Sequence, residues 1–178
     1  MVSERGPSES ITKLGMLIKM SIQIANKTVG NGRAYVIAEI GNNHNGSLKR
    51  AFEMIDLAKK MGADCAKFQM RHLGSVYRKK ALRKSSEDLG TEYIVDLLKR
   101  FELPIEDHAK LALYCKNKGI QYLCTPWDDK SIAALEEIGV PAYKVSSADL
   151  TNMPLLDLLV QTKKPLILST GMSRLSEV

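Results

Sequence analysis

Two lysines occupy positions that call for an explanation. Lys67 lies in DCAKFQM and Lys144 in AYKVSS, short runs that otherwise read as buried strands. An ammonium held alone in low dielectric is costly unless it is paired. Alternate residues of a strand share a face, so Lys67 and Gln69 point one way while Ala66 and Phe68 point toward covering helices. If Lys144 aims at the same volume as Lys67, the two cations repel unless an anion lies between them, and a phosphate or a carboxylate would satisfy both. Ser147 and Ser169, with backbone N–H groups at strand ends, add neutral donors suited to phosphate oxygens. The competing reading pairs each lysine with an Asp or Glu as a structural ion pair.

Glu39 raises a related point in AEIGNNHNG, where it closes an apolar strand ahead of the loop Asn42, Asn43, His44, Asn45, Gly46. A carboxylate there can act as a base or order a water, and the same loop can equally be polar turn chemistry. Asn43, His44, the strand-end Thr125 and Asp149 are further candidates. His44 has no partner at ligand spacing, and His72 and His108 lie in unrelated contexts, so no metal set is read within this chain. Asp149 and Asn152 either position substrate hydroxyls or form the turn and cap before Pro154, the second reading being favoured. Trp127, in TPWDD, packs at the mouth of the fold or lies beside a sugar.

The elements that must carry these residues alternate regularly. IQIANKTVG reads as a short ribbon leading into a first strand, RAYVIAEIG, that ends at Glu39. LKRAFEMIDLAKKMGA then reads as a helix with apolar Leu48, Phe52, Ile55 and Leu57/Ala58, an N-cap at Ser47 and a stop at Gly62. DCAKFQM follows as a strand, IEDHAKLALYCKNKG as a helix ending at Gly119, and IQYLCTP as a strand. The order repeats with DKSIAALEEIG, AYKVSS, PLLDLLVQTK with Pro154 in its first turn, and PLILSTG. Strands without clean alternation, each followed by a helix, imply an α/β fold with a parallel sheet covered by helices.

A (β/α)8 TIM barrel and a doubly wound sheet both satisfy that pattern. No GxGxxG follows the first strand, and polar residues crowd the strand C-termini, where barrel enzymes keep their chemistry; both points favour the barrel. Such a barrel takes about 250 residues and eight strands, so the chain is expected to hold only the first five β/α units, stopping at GMSRLSEV as a fifth helix begins. Residues 71–104 form a long connection with a charged piece, RKKALRK, and a helical one, TEYIVDLLKRF, readable as a lid or interface segment.

Composition narrows the function classes. The 178 residues are 44% hydrophobic, enough for a core, with 26 Lys+Arg against 20 Asp+Glu. The +6 charge is scattered without interleaved aromatics, so a solvated face or a general pull on anionic metabolites explains it better than nucleic-acid binding. The three cysteines share no CxxC spacing, which argues against a disulfide framework or zinc site and suits a reducing cytoplasm. Residues 1–20 read as a disordered leader, and no apolar run approaches the ~20 residues of a membrane span.

Five motifs together, IAEIGNNHNGS, GADCAKFQM, YLCTPWD, GVPAYKVSSADLTNMPLL and KKPLILSTGMS, closely resemble in order the N-terminal barrel portion of the sialic acid (N-acetylneuraminate) synthase family, which includes the legionaminate and pseudaminate synthases. The resemblance covers roughly residues 20–178. It implies a condensation of phosphoenolpyruvate with an N-acetylhexosamine such as N-acetylmannosamine, with release of phosphate by C–O cleavage. By similarity, Lys67, Lys144, Ser147 and Ser169 would hold phosphoenolpyruvate, Gln69 would contact the amino sugar, and Glu39 would manage water or a proton near C2.

The same resemblance implies a divalent cation, Mn2+ or Mg2+, whose ligands are expected beyond residue 178, a homodimer, and a C-terminal domain similar to antifreeze protein. The chain to Val178 is accordingly expected to lack full activity. Two alternatives stand beside this reading: a Schiff-base aldolase on the same fold, with Lys67 or Lys144 as nucleophile, and a non-catalytic fragment that binds an anion.

Overall fold

A computed structural model describes residues 21–30, 32–77 and 91–178. The expected leader at 1–20 and the RKKALRK piece lie outside the described residues. The chain divides into two compact units at Ala34/Tyr35. In the first, β1 (Ile22–Ile24) and β2 (Lys27–Val29) form an antiparallel hairpin in which Ile22 pairs with Val29.

The second unit is built on five parallel strands: β3 (Ile37–Gly41), β4 (Cys65–Met70), β5 (Gln121–Pro126), β6 (Tyr143–Val145) and β7 (Leu166–Leu168). They pair strictly in chain order. A doubly wound sheet reverses its order at a switch point, whereas a barrel sheet grows by adding each strand beside the last. The pairing therefore decides between the two folds that the sequence pattern left open: these are consecutive units of a (β/α)8 barrel.

The helices follow from local signals. α1 (Leu48–Lys60) is capped by Ser47, whose side chain accepts from Arg50 N at 3.2 Å. α2 (Leu73–Val76) is a single turn, and α3 (Thr91–Phe101) matches the expected helical piece of the long connection. α4 (Ile105–Lys118) ends at Gly119 in the left-handed conformation (φ 66°), where a glycine carries no Cβ penalty. α5 (Asp129–Ile138) is capped by Asp128 and α6 (Met153–Gln161) by Asn152, with Pro154 in its first turn.

The core lies between the sheet and these helices. Ala66, Phe68, Met70, Tyr122, Cys124, Tyr143 and Val145 pack against Ala51 and Ile55 of α1, Leu111 and Cys115 of α4, Leu135 of α5 and Leu155 and Leu159 of α6. Each large side chain buried there contributes about 1.5–3 kcal/mol. The alternation expected in β4 is therefore realised: Ala66 and Phe68 face the helices, leaving Lys67 and Gln69 to the opposite face. All three cysteines are buried free thiols.

Two local expectations are corrected, and one that the pattern left open is decided. β3 continues past Glu39 because a register shift lets Gly41 pair with Phe68. Leu57 is exposed and Ala58 takes the buried place in α1, since the helical turn admits only one of two adjacent residues to the core face. The run after β7 forms a 3₁₀ turn at Leu175–Glu177 rather than opening an α-helix. No helix among the described residues is long and apolar enough to cross a membrane.

Candidate active site

Glu39 and Lys67 are register partners on β3 and β4. The Lys67 ammonium lies 2.9 Å from Glu39 Oε1 and donates to Thr125 Oγ1 at 2.9 Å. Lys67 itself is 4% exposed, yet the Glu39 side chain is 56% exposed. The pair thus has one member in the sheet and the other at an open rim. Of the two readings of the buried lysines, the ion pair holds at Lys67, and its partner is another candidate residue.

Lys144 is different. Its half-buried ammonium donates to the Val145 carbonyl at 2.7 Å and to Ser169 Oγ, so β6 and the end of β7 hold it with neutral acceptors. Among the described residues no carboxylate lies within ion-pairing distance of it. Burial holds Lys144 below the ordinary lysine pKa; the charge of Lys67 lowers it further, and Glu39 offsets this in part. The two ammonium groups and the carboxylate therefore share one electrostatic environment, with a net positive balance before any substrate enters.

Ser147 opens a 3₁₀ turn (Ser147–Asp149) directly after β6. A Cβ placed on Gly171 would stand 3.7 Å from Ser147 Oγ, so the segment leaving β7 passes over this hydroxyl. Ser147, Ser169 and Lys144 thus come together at one end of two neighbouring strands, where both lysine and hydroxyl donors are available to an anion.

Gln69 is held from outside the lysine group. Its Oε1 accepts from Arg71 Nη2 at 2.6 Å, and the Arg71 guanidinium lies over the Trp127 ring, 4.9 Å from its centroid. Burial lowers the Arg71 pKa, while Tyr77 and Glu102 act in the opposite sense. Gly41 (φ 53°) completes this corner: a Cβ there would stand 3.2 Å from Gln69 Nε2 and 3.3 Å from Glu39 Oε1. A side chain at residue 41 would crowd both groups.

The remaining candidates divide. Asn152 caps α6 and its Nδ2 donates to Asp149 Oδ1 at 3.1 Å, which is the turn-and-cap arrangement. Asp149 is nevertheless buried, and its Oδ2 has no hydrogen-bond partner. Asn43 is exposed in the turn after β3. His44 is buried, accepts from Gly46 N at 3.1 Å and packs 6.1 Å from the Phe68 ring on the helix-covered side of the sheet. It is not brought to the lysine face.

Arg71 and Gly41 escaped the sequence reading. Arg71 had a signal: it continues the two-residue alternation of Lys67 and Gln69. Gly41 had none beyond its nearness to Glu39. Among the described residues no group of three or more His, Cys, Asp or Glu side chains could hold a metal ion.

A model of the NeuB family matches residues 54–178. The chain belongs to the NeuB family. This NeuB-family chain is 36% identical over 149 residues to the N,N'-diacetyllegionaminic acid synthase of Campylobacter jejuni, covering 82% of the chain and 45% of that protein. It is 35% identical over 146 residues to the human N-acetylneuraminate-9-phosphate synthase, covering 80% of the chain and 40% of that enzyme. The crystal structure of the N-acetylneuraminic acid synthetase of Leptospira borgpetersenii, a complex with citrate, superposes with a TM-score of 0.77 at 31% identity over 89% of the chain and 52% of that structure. The chain spans about half the length, or somewhat less, of the curated relatives it matches.

Proposed function

We propose that this chain supplies the phosphoenolpyruvate-binding half of a sialic-acid-type synthase. In the reaction, C3 of phosphoenolpyruvate attacks the aldehyde carbon of an N-acetylhexosamine, and the aldehyde oxygen takes up a proton to become a hydroxyl. The cation left at C2 is captured by water, which loses a proton. The resulting tetrahedral centre expels phosphate by C–O cleavage and becomes a ketone. One phosphoenolpyruvate, one aldehyde and one water give one 2-keto acid and one phosphate.

Lys144 carries the reading: a partly buried cation held by neutral groups, beside a second cation and two serines, has no ion-paired carboxylate among the described residues, and phosphoenolpyruvate would bring that charge. Lys67 and Lys144, with Ser147 and Ser169, would bind its phosphate and carboxylate and stabilise charge on the departing phosphate. Glu39, next to Lys67 and open to solvent, would order the attacking water and take its proton. Gln69 would meet the sugar. A divalent cation would need ligands from outside the described residues, and no step is assigned to it.

Calorimetric titration tests the substrate half. Phosphoenolpyruvate should bind more tightly than either pyruvate or inorganic phosphate, and Lys144→Met should weaken it by about tenfold or more, as for loss of a charge-assisted contact. Equal affinities for all three ligands, or indifference to Lys144→Met, would reject the proposal. The depressed pKa of Lys144 also suits a Schiff-base nucleophile. Borohydride trapping with pyruvate separates the two chemistries, because only the Schiff-base route leaves a covalent lysine adduct.

A further inference from the structure

Gln69 can offer a substrate either its carbonyl oxygen or its N–H groups, and its neighbours decide which. Arginine has donors only, so the atom of the Gln69 amide facing Arg71 Nη2 at 2.6 Å must be the oxygen. The amide nitrogen is thereby turned to the other side, where Gly41 and the Glu39 carboxylate lie. Arg71 is itself constrained: its planar guanidinium lies on Trp127, and among the described residues no carboxylate within ion-pairing distance competes for its donors.

We propose that Arg71 is a positioning residue that fixes the Gln69 amide with its nitrogen toward the site, so that the acceptor sugar is met there by a donor and must present an oxygen, hydroxyl or acyl carbonyl. This deepens the reading above, which takes Gln69 as the sugar contact. Glycine at residue 41 leaves the nitrogen uncovered, and Trp127 keeps the guanidinium from swinging away. Arg71 acts through Gln69 and need not touch the sugar.

The test is a double-mutant cycle on protein saturated with phosphoenolpyruvate and titrated with N-acetylmannosamine. Arg71→Met should weaken the sugar by about tenfold, in line with loss of one hydrogen bond to a fixed group, with phosphoenolpyruvate affinity essentially unchanged. Arg71→Lys, which can still donate to Gln69, should recover part of the loss. In a Gln69→Ala background, Arg71→Met should cost nothing further. Losses that multiply in the double variant, or an Arg71→Met protein that binds sugar like the parent, overturn the inference.

The Gln69 side-chain amide gives a readout that needs no substrate. The partial double bond keeps its two N–H protons distinct in either protein, but their chemical shifts should move and the order parameter of the amide should fall in Arg71→Met; identical spectra would also overturn the inference. If phosphoenolpyruvate fails to bind the parent protein, the functional reading falls while this amide measurement still decides the role of Arg71.

Discussion

The Lys67 ammonium lies 2.9 Å from Glu39 Oε1, and the two residues face each other in register on adjacent parallel strands. The base proposed for water and the cation proposed for phosphate therefore neutralise each other in the free protein. An incoming phosphoenolpyruvate has to compete with Glu39 for Lys67. Glu39→Ala should consequently tighten phosphoenolpyruvate a few-fold at low salt, by about the strength of a partly exposed ion pair. Titration across a salt series checks this: weaker binding in the variant would show that Glu39 does not compete.

Lys144 gives a pH prediction. Its pKa in the folded protein is lowered, so between that value and the ordinary lysine value the unfolded chain binds more protons than the native one. Stability contributed by this site therefore rises with pH across that window. Phosphoenolpyruvate binding moves oppositely, since it needs the charged form and must fade as pH rises through the lowered pKa. Lys144→Met should remove both dependences and leave the unliganded protein as stable or more so, by up to about 1 kcal/mol. Chemical denaturation and calorimetry between pH 7 and 10 measure the pair of slopes.

His108 predicts acid sensitivity. Its ring is 1% exposed, accepts or donates at Tyr122 OH at 2.8 Å, and burial lowers its pKa to about 4. The neutral form is thus favoured in the fold: its stabilisation is complete above about pH 6.5 and is lost as pH falls toward 4, by about 3 kcal/mol in all. His108→Gln should lower the denaturation midpoint at pH 7 yet flatten its decline between pH 6.5 and 4. An unchanged slope would assign the acid sensitivity to other groups.

Gly46 tests the backbone that carries Glu39 toward α1. It has φ 75°, and a Cβ there would run into the Arg100 carbonyl at the end of α3. Backbone cannot yield as a side-chain tip can. Gly46→Ala should cost about 1–3 kcal/mol through the left-handed conformation and the clash together, visible as a melting temperature lowered by several degrees. Gly41→Ala should behave differently: the atoms it meets are the ends of Gln69 and Glu39, so ligand binding should suffer more than stability.

Several of these relationships were legible in the chain itself. The alternation in DCAKFQM put Lys67 and Gln69 on one face because strand geometry leaves no choice, and Ser47, Asn152, Gly119 and Pro154 marked helix ends because each answers a local backbone demand. The same alternation pointed to Arg71, but a residue beyond a strand's last hydrogen bond is free of that rule until its contacts are known.

The sequence by itself determined that helices and strands alternate, where several helices are capped, and which side chains within a strand share a face, since these depend on a few neighbouring residues. Only the tertiary structure decided that the strands add in chain order, that Lys67 is balanced by Glu39 while Lys144 rests on neutral oxygens, that His44 turns into the helix layer, and that Arg71 holds Gln69. Each of these is a relation across strands or loops far apart in sequence. Strand register and electrostatics through a shared interior set such relations, and neither is written in any local pattern of residues.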